Sequence, residues 1–129
     1  MQKIVSLIAL MFGTVFGTAV WAVSPQDTLQ QYEASSGPAS AQRGQQFFTS
    51  KHGREWSCAS CHSAVPNKTT QHIVTGKTIL PLAPAANDKR FTDAAKSEKW
   101  FKRNCKDVLA RECTSQEKVD IISWLLTIK

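Results

Sequence analysis

The stretch SCASCHS, residues 57 to 63, limits what this chain can fold into more than any other. Cys58 and Cys61 are separated by two residues, and His62 follows at once. Two thiols at that spacing reach the vinyl groups on adjacent pyrrole rings of a haem. The next side chain then lies under the iron, where a neutral imidazole nitrogen coordinates it. The expectation is one covalent haem c, attached through Cys58 and Cys61, with His62 as the proximal ligand. A chain carrying such a group must fold around it. Three plainer uses of the thiols compete. A thioredoxin-type dithiol needs a βαβ setting, whereas this sequence offers helices and loops with hardly a strand. A zinc site needs two more ligands at finger spacing, a pattern that Cys105 and Cys113 do not fit. A structural disulfide inside a chance motif is the third.

The chain opens MQKIVSLIALMFGTVFGTAVWA, with a single lysine before an apolar run and Val20 and Ala22 at the minus-three and minus-one places of a cut. That is the pattern of a secretory signal. An uncleaved anchor is the alternative, because the run approaches spanning length; its small-residue end with no basic stop behind it favours cleavage. Residues 1–22 are therefore expected to be a signal peptide that delivers residues 23–129 to the periplasm, with no membrane span left after cleavage. The formal net charge of the full chain is +6; losing Lys3 leaves 15 basic and 10 acidic residues, net +5, on 107 residues. This suits one domain with one modest core. The charge is not concentrated in one block, which fits a solvated surface or a docking face for an acidic partner. No basic stripe interleaved with aromatics is present, so nucleic acid is not an expected partner. Disulfides persist in an oxidising compartment, so all four cysteines need an assignment.

Periodicity and capping signals place four helices. Ser24 before Pro25, with Asp27 in the first turn, starts a short helix running to Tyr32. Ala41, Gly44 and Phe48 recur at helical spacing in a second helix that begins near Pro38, with Gly53 as a stop. Between Ser63 and Arg90, four punctuating residues (Pro66, Gly76, Pro81, Pro84) and no sustained period predict a long ordered loop. Thr92 is expected to cap a helix over about Asp93 to Ala110. TSQE, Thr114 to Glu117, is a capping box for a last helix whose stripe Val119, Ile122, Trp124, Leu125 and Leu126 must be buried. The fold class is all-α.

A helix before the attachment motif, a loop after it and an aromatic-striped terminal helix resemble a class I cytochrome c. In that likeness Gly44 and Phe48 match the small-plus-aromatic pair where the first helix crosses the last, and Trp124 is the aromatic opposite. Electron-carrying members usually supply a methionine as the sixth iron ligand. The methionines here, Met1 and Met11, both lie in the signal, so Met ligation is excluded. His52, His72, a lysine, an asparagine or no protein ligand remain. His52 fits an exposed or capping role, His72 a structural or surface role near the proximal side, and Lys102 and Lys106 a solvated one. Asn104 interrupts the apolar face of KWFKRNCKDVLAREC, four residues from both Trp100 and Val108. A buried amide without hydrogen bonds costs a few kcal/mol, so it needs a backbone group, a water or a metal as partner. Pattern alone leaves a core amide and an iron ligand both open.

The segment KTILPLAPAANDKRFTDAAKSEKWFKRNCKDVLARECTSQEKVDIISWL, together with CASCH, resembles the sphaeroides haem proteins, oxygen-binding class I cytochromes c. The likeness covers most of residues 23–129 and is specific at PLAP and KWFKRNC. It implies that Asn104 is the sixth, displaceable iron ligand, that Cys105 and Cys113 form a disulfide beside it, and that a dihaem cytochrome c donates electrons. It further implies that reduction frees the distal position for oxygen or another diatomic such as nitric oxide. An amide oxygen is a weak, hard ligand that should hold ferric iron loosely and release ferrous iron. A plain electron carrier, and an oxygen-reducing or nitric oxide-metabolising enzyme, are the alternatives; no distal acid or base is evident for committed catalysis. Arg54, Lys77, Lys89 and Arg90 are candidates to pair with haem propionates, although any surface charge reads the same in sequence.

Overall fold

The computed structural model describes residues 22–129, so all but the last residue of the expected signal segment lies outside the described residues. The elements are α1 (Pro25–Glu33), α2 (Ala41–Thr49), α3 (Ala59–His62), β1 (Thr70–Gln71), β2 (Thr78–Ile79), α4 (Ala94–Leu109) and α5 (Ser115–Leu125). Among the described residues, no helix is long and apolar enough to cross a membrane.

Each long helix starts where a side-chain oxygen satisfies a free backbone N–H. Ser24 and Asp27 form a capping box on α1, and Thr114 and Glu117 form one on α5. α2 starts three residues later than Pro38, at Ala41, because the Ser40 hydroxyl caps it by accepting the Arg43 N–H. That helix also ends before Gly53, which serves the following turn with φ +77°. At α4 the cap is Asp93, whose carboxylate accepts the Lys96 N–H at 2.9 Å. Thr92, the expected cap, instead donates its hydroxyl to the Lys89 carbonyl and closes the preceding turn.

α5 is the centre of the fold. Val119, Ile122 and Leu125 are fully buried, Trp124 nearly so, and Leu126 is half-buried at the C-cap. α2 crosses α5 with Phe48 and Trp124 ring centroids 5.0 Å apart. α1 packs on α5 as well and reaches the start of α4 through Thr28, whose hydroxyl donates to the Phe91 carbonyl at 2.6 Å. The loop expected over 63–90 contains a minimal antiparallel hairpin, with Thr70 opposite Ile79 and Gln71 opposite Thr78. Gly76, at φ +65°, and His72, whose Nδ1 accepts the Val74 and Thr75 N–H groups, shape its turn. The PLAP segment is held by two N–H groups, of Leu82 and Ala83, that both donate to the Pro66 carbonyl at 2.9 Å.

Candidate functional site

α3, the hairpin, the loop after it and α4 enclose a cavity of about 970 Å³ floored by Phe48, Ile121 and Leu125. That volume is at the upper end of small-molecule and cofactor sites.

Cys58, Cys61 and His62 line this cavity from α3. The short helix is tied down locally: the Ser57 N–H donates to the Ser60 hydroxyl at 3.0 Å, and the Cys61 carbonyl accepts the Thr70 hydroxyl at 2.6 Å. Both thiols are free. Burial pushes the Cys58 thiol up to about 11. Burial first, with Arg90 and His72 adding to it, lowers His62 to about 4, so its imidazole is neutral near pH 7. A neutral imidazole is the form that coordinates a metal. The His62 ring lies 6.0 Å from that of Phe48, centroid to centroid.

Asn104 lines the same cavity from α4, half-buried. The side-chain hydrogen bonds of α4 and its cap are made by Asp93, Ser97 and Glu98, and the Asn104 carboxamide joins none of them. A core amide bonded to backbone, one of the two readings open in sequence, is not what the structure contains. The next residue, Cys105, forms a disulfide with Cys113, Cα to Cα 5.6 Å, which ties α4 to the start of α5. That bond also removes both cysteines from any zinc set.

The other ligand candidates separate by position. His52 lies outside this cavity, in a shallower cleft beside α2, with Nε2 2.7 Å from the Phe47 carbonyl and its ring against Phe47. His72 borders the haem-sized cavity, but its Nδ1 serves the hairpin turn. Lys102 and Lys106 pair with Glu112 at 3.3 and 3.8 Å.

Arg54, Lys77, Lys89 and Arg90 all border the cavity. Arg90 also pins the PLAP loop, donating from Nε to the Pro81 carbonyl at 2.8 Å and from Nη2 to the Leu80 carbonyl at 2.7 Å. Sequence reasoning missed several wall residues, among them Trp56, Phe91, Trp100 and Arg103. Trp100 is 44% exposed, with the Arg103 guanidinium 5.6 Å from its ring centroid. Its exposure on a helix face that otherwise reads as apolar is the signal that it faces a ligand space. Two free thiols, a neutral imidazole, aromatic and aliphatic walls and a cationic rim fit a haem with its two carboxylates.

A family model described as a domain of unknown function (DUF1924) matches residues 34–125. The cytochrome c-type protein SHP of Cereibacter sphaeroides is 46% identical over 107 residues, 79% of this chain and 82% of that protein. A structure of oxidized SHP, described as an oxygen binding cytochrome c, matches with TM-score 0.75 and 43% identity, covering 83% of this chain and 99% of that one. The solution structure of Methylophilus methylotrophus cytochrome c'', concerned with the structural basis of haem-ligand detachment, matches with TM-score 0.67 and 37% identity, covering 80% and 92%. Identity at that level across about four-fifths of this chain, on the same helical framework, carries the conclusion: the chain belongs to the SHP family of c-type cytochromes.

Proposed function

We propose that the mature chain is a periplasmic monohaem c-type cytochrome. It accepts electrons from a partner cytochrome and binds oxygen or another diatomic at an iron position that Asn104 guards. The observation that carries this reading is the placement of Cys58, Cys61 and His62 in one cavity with Asn104, an amide that shares no side-chain hydrogen bond of its helix.

In this reading Cys58 and Cys61 would hold one haem c through thioether bonds, and His62 and Asn104 would be the protein ligands to its iron. When bound, the group supplies one-electron redox chemistry and an iron coordination position for a small ligand. The remaining work belongs to the chain. Buried His62 keeps a lone pair available because its proton is lost well below neutral pH. Phe48, Leu125 and the walls exclude water. Arg54, Lys77, Lys89 and Arg90 are placed to offset carboxylate charge. The Asn104 carbonyl oxygen would offer a hard, neutral donor, better suited to ferric than to ferrous iron. The names of two relatives favour a releasable ligand over a fixed one, since SHP is described as oxygen binding and cytochrome c'' as detaching a haem ligand. The donor fits a second c-type cytochrome, of the dihaem kind that the sequence likeness implies.

The test is the visible spectrum of the ferrous holoprotein before and after carbon monoxide or oxygen. A high-spin spectrum that shifts with gas is expected; a low-spin spectrum indifferent to gas reduces the protein to a plain electron carrier. Replacing Asn104→Ala should leave haem attached and change the ferric spectrum. An unchanged ferric spectrum removes Asn104 from the iron.

A further inference from the structure

α4 is the longest helix among the described residues, yet it buries only Ser97 and Cys105. Besides the packing of Phe101 against Tyr32 and Phe91 and the exposed pairs of Lys102 and Lys106 with Glu112, two specific ties hold it to the rest of the fold. One is the Cys105–Cys113 disulfide. The other is a polar cluster: the Glu98 carboxylate accepts both Lys118 Nζ, at 2.7 and 2.8 Å, and the Tyr32 hydroxyl, at 2.8 Å. Lys118 is 8% exposed, and its ammonium also lies 5.6 Å from the Tyr32 ring centroid. An ammonium buried on the central helix with one carboxylate partner is costly to leave alone, which ties α4 to α5 and α1 through Glu98.

We infer that Glu98, clamped by Lys118 and Tyr32, is a positioning residue that aims the Asn104 amide; this rests on the reading of Asn104 as the distal ligand. The helix geometry gives the reason. Glu98 and Cys105 are seven residues apart, two turns, so both ties lie on one face about 10 Å apart. Asn104 lies about 100° around the helix from Cys105, and both residues line the cavity. A single tie at Cys105, near the C-terminal end of α4, fixes a point but leaves the rest of the helix free to swing about it. The second tie at Glu98 removes that freedom, and a weak amide donor depends on direction as much as on distance. Neither Glu98 nor Lys118 lines the cavity, so neither is positioned to touch the ligand.

The experiment uses the ferric holoprotein, with imidazole as a probe that competes with Asn104 for the iron, and reads the absorption spectrum alongside. Glu98→Gln keeps shape and loses charge; Lys118→Met loses the buried cation; each is also made on Asn104→Ala. Glu98→Gln and Lys118→Met should tighten apparent imidazole affinity by about 5- to 10-fold, because a smaller share of the protein has the amide engaged, and shift the ferric spectrum toward that of Asn104→Ala. On the Asn104→Ala background the same changes should be less than about twofold. Lys118→Arg, which restores the cation, should return the parent values. If Lys118→Met does not fold, the half-exposed, isosteric Glu98→Gln carries the test alone. Parent-like affinity and spectrum in Glu98→Gln, while Asn104→Ala still changes the spectrum, overturns the positioning role only. An equal shift with and without Asn104 also overturns it, since that is general loosening of the cavity. If Asn104→Ala itself changes nothing, the ligand assignment fails first, and this inference with it.

Discussion

Gly44 of α2 and Asp120 of α5 meet backbone to backbone: a Cβ on Gly44 would collide with the Asp120 carbonyl and lie 2.9 Å from the Ile121 nitrogen. Directly beside this contact the Asp120 carboxylate accepts the Ser40 N–H at 2.8 Å and the Arg43 Nε at 2.7 Å. One residue thus supplies the flat backbone that Gly44 needs and the negative charge that the first turn of α2 attracts. This crossing brings Phe48 to the floor of the haem-sized cavity.

Gly44→Ala therefore tests the crossing. In an open helix the change would stabilise by about 1 kcal/mol. Here the methyl meets backbone that has no rotamer to give way, so a net loss of about 2 kcal/mol is expected. Urea unfolding of the holoprotein measures it, and a variant more stable than the parent would contradict the close approach.

The Asp120 carboxyl bears on acid stability. Burial raises its pKa, but hydrogen bonds from Arg43, Ser40 and Gln116 outweigh that and hold it below its ordinary value of 3.8. In the unfolded chain those partners are gone, so near and below pH 3.8 the unfolded state binds more protons than the folded one, and stability falls as pH falls through the native value. The contribution is fully present above the ordinary value. Asp120→Asn should lower stability at pH 7 and flatten the loss between about pH 4 and pH 2. Thermal melts at stepped pH decide it; parallel curves for parent and variant would sink the assignment.

The disulfide can be removed as Cys105→Ser with Cys113→Ser. The bonded residues are separated by eight positions, so loop-closure entropy alone predicts a loss of about 2 to 3 kcal/mol. The same variant should perturb the ferric spectrum, because Asn104 is the neighbour of Cys105. A stability loss with an unaltered spectrum would make the bond a staple only.

Attachment is tested at the thiols. Cys58→Ala should leave one thioether and shift the pyridine haemochrome band toward the longer wavelength of a haem that keeps one vinyl group. With Cys61→Ala added, haem should extract into acidified acetone, whereas the parent retains it. Haem that stays with the protein in the double variant refutes covalent attachment at these positions.

Much of this protein is written locally. The attachment motif is consecutive in sequence, and the capping box of α5 and the Ser24 start of α1 involve residues three apart, so each was legible; the structure adds that Asp27 completes a box on α1 as well. That residues 23–129 contain no methionine is likewise a fact of sequence. The buried stripe of α5 was legible too, because a helical period leaves its mark on a single segment.

What the tertiary structure decided involves groups brought together from far along the chain. Nothing near Glu98 in sequence marks Tyr32 and Lys118 as its partners, since they lie 66 and 20 residues away. Asp120 reads as a polar interruption of an apolar helix until Ser40 and Arg43 arrive from α2. His52 and His72 are equivalent as imidazoles, and only the fold sends one to an outer cleft and the other to a hairpin turn. The choice between Thr92 and Asp93 as cap of α4, and between Pro38 and Ala41 as start of α2, turned on which oxygen the backbone could reach. Asn104 shows the division most sharply: periodicity marked it as out of place, while its place on a cavity shared with Cys58, Cys61 and His62 exists only after residues 58 to 104 have closed around a common space. Local spacing fixes which groups can react; the closure of long loops fixes which of them meet.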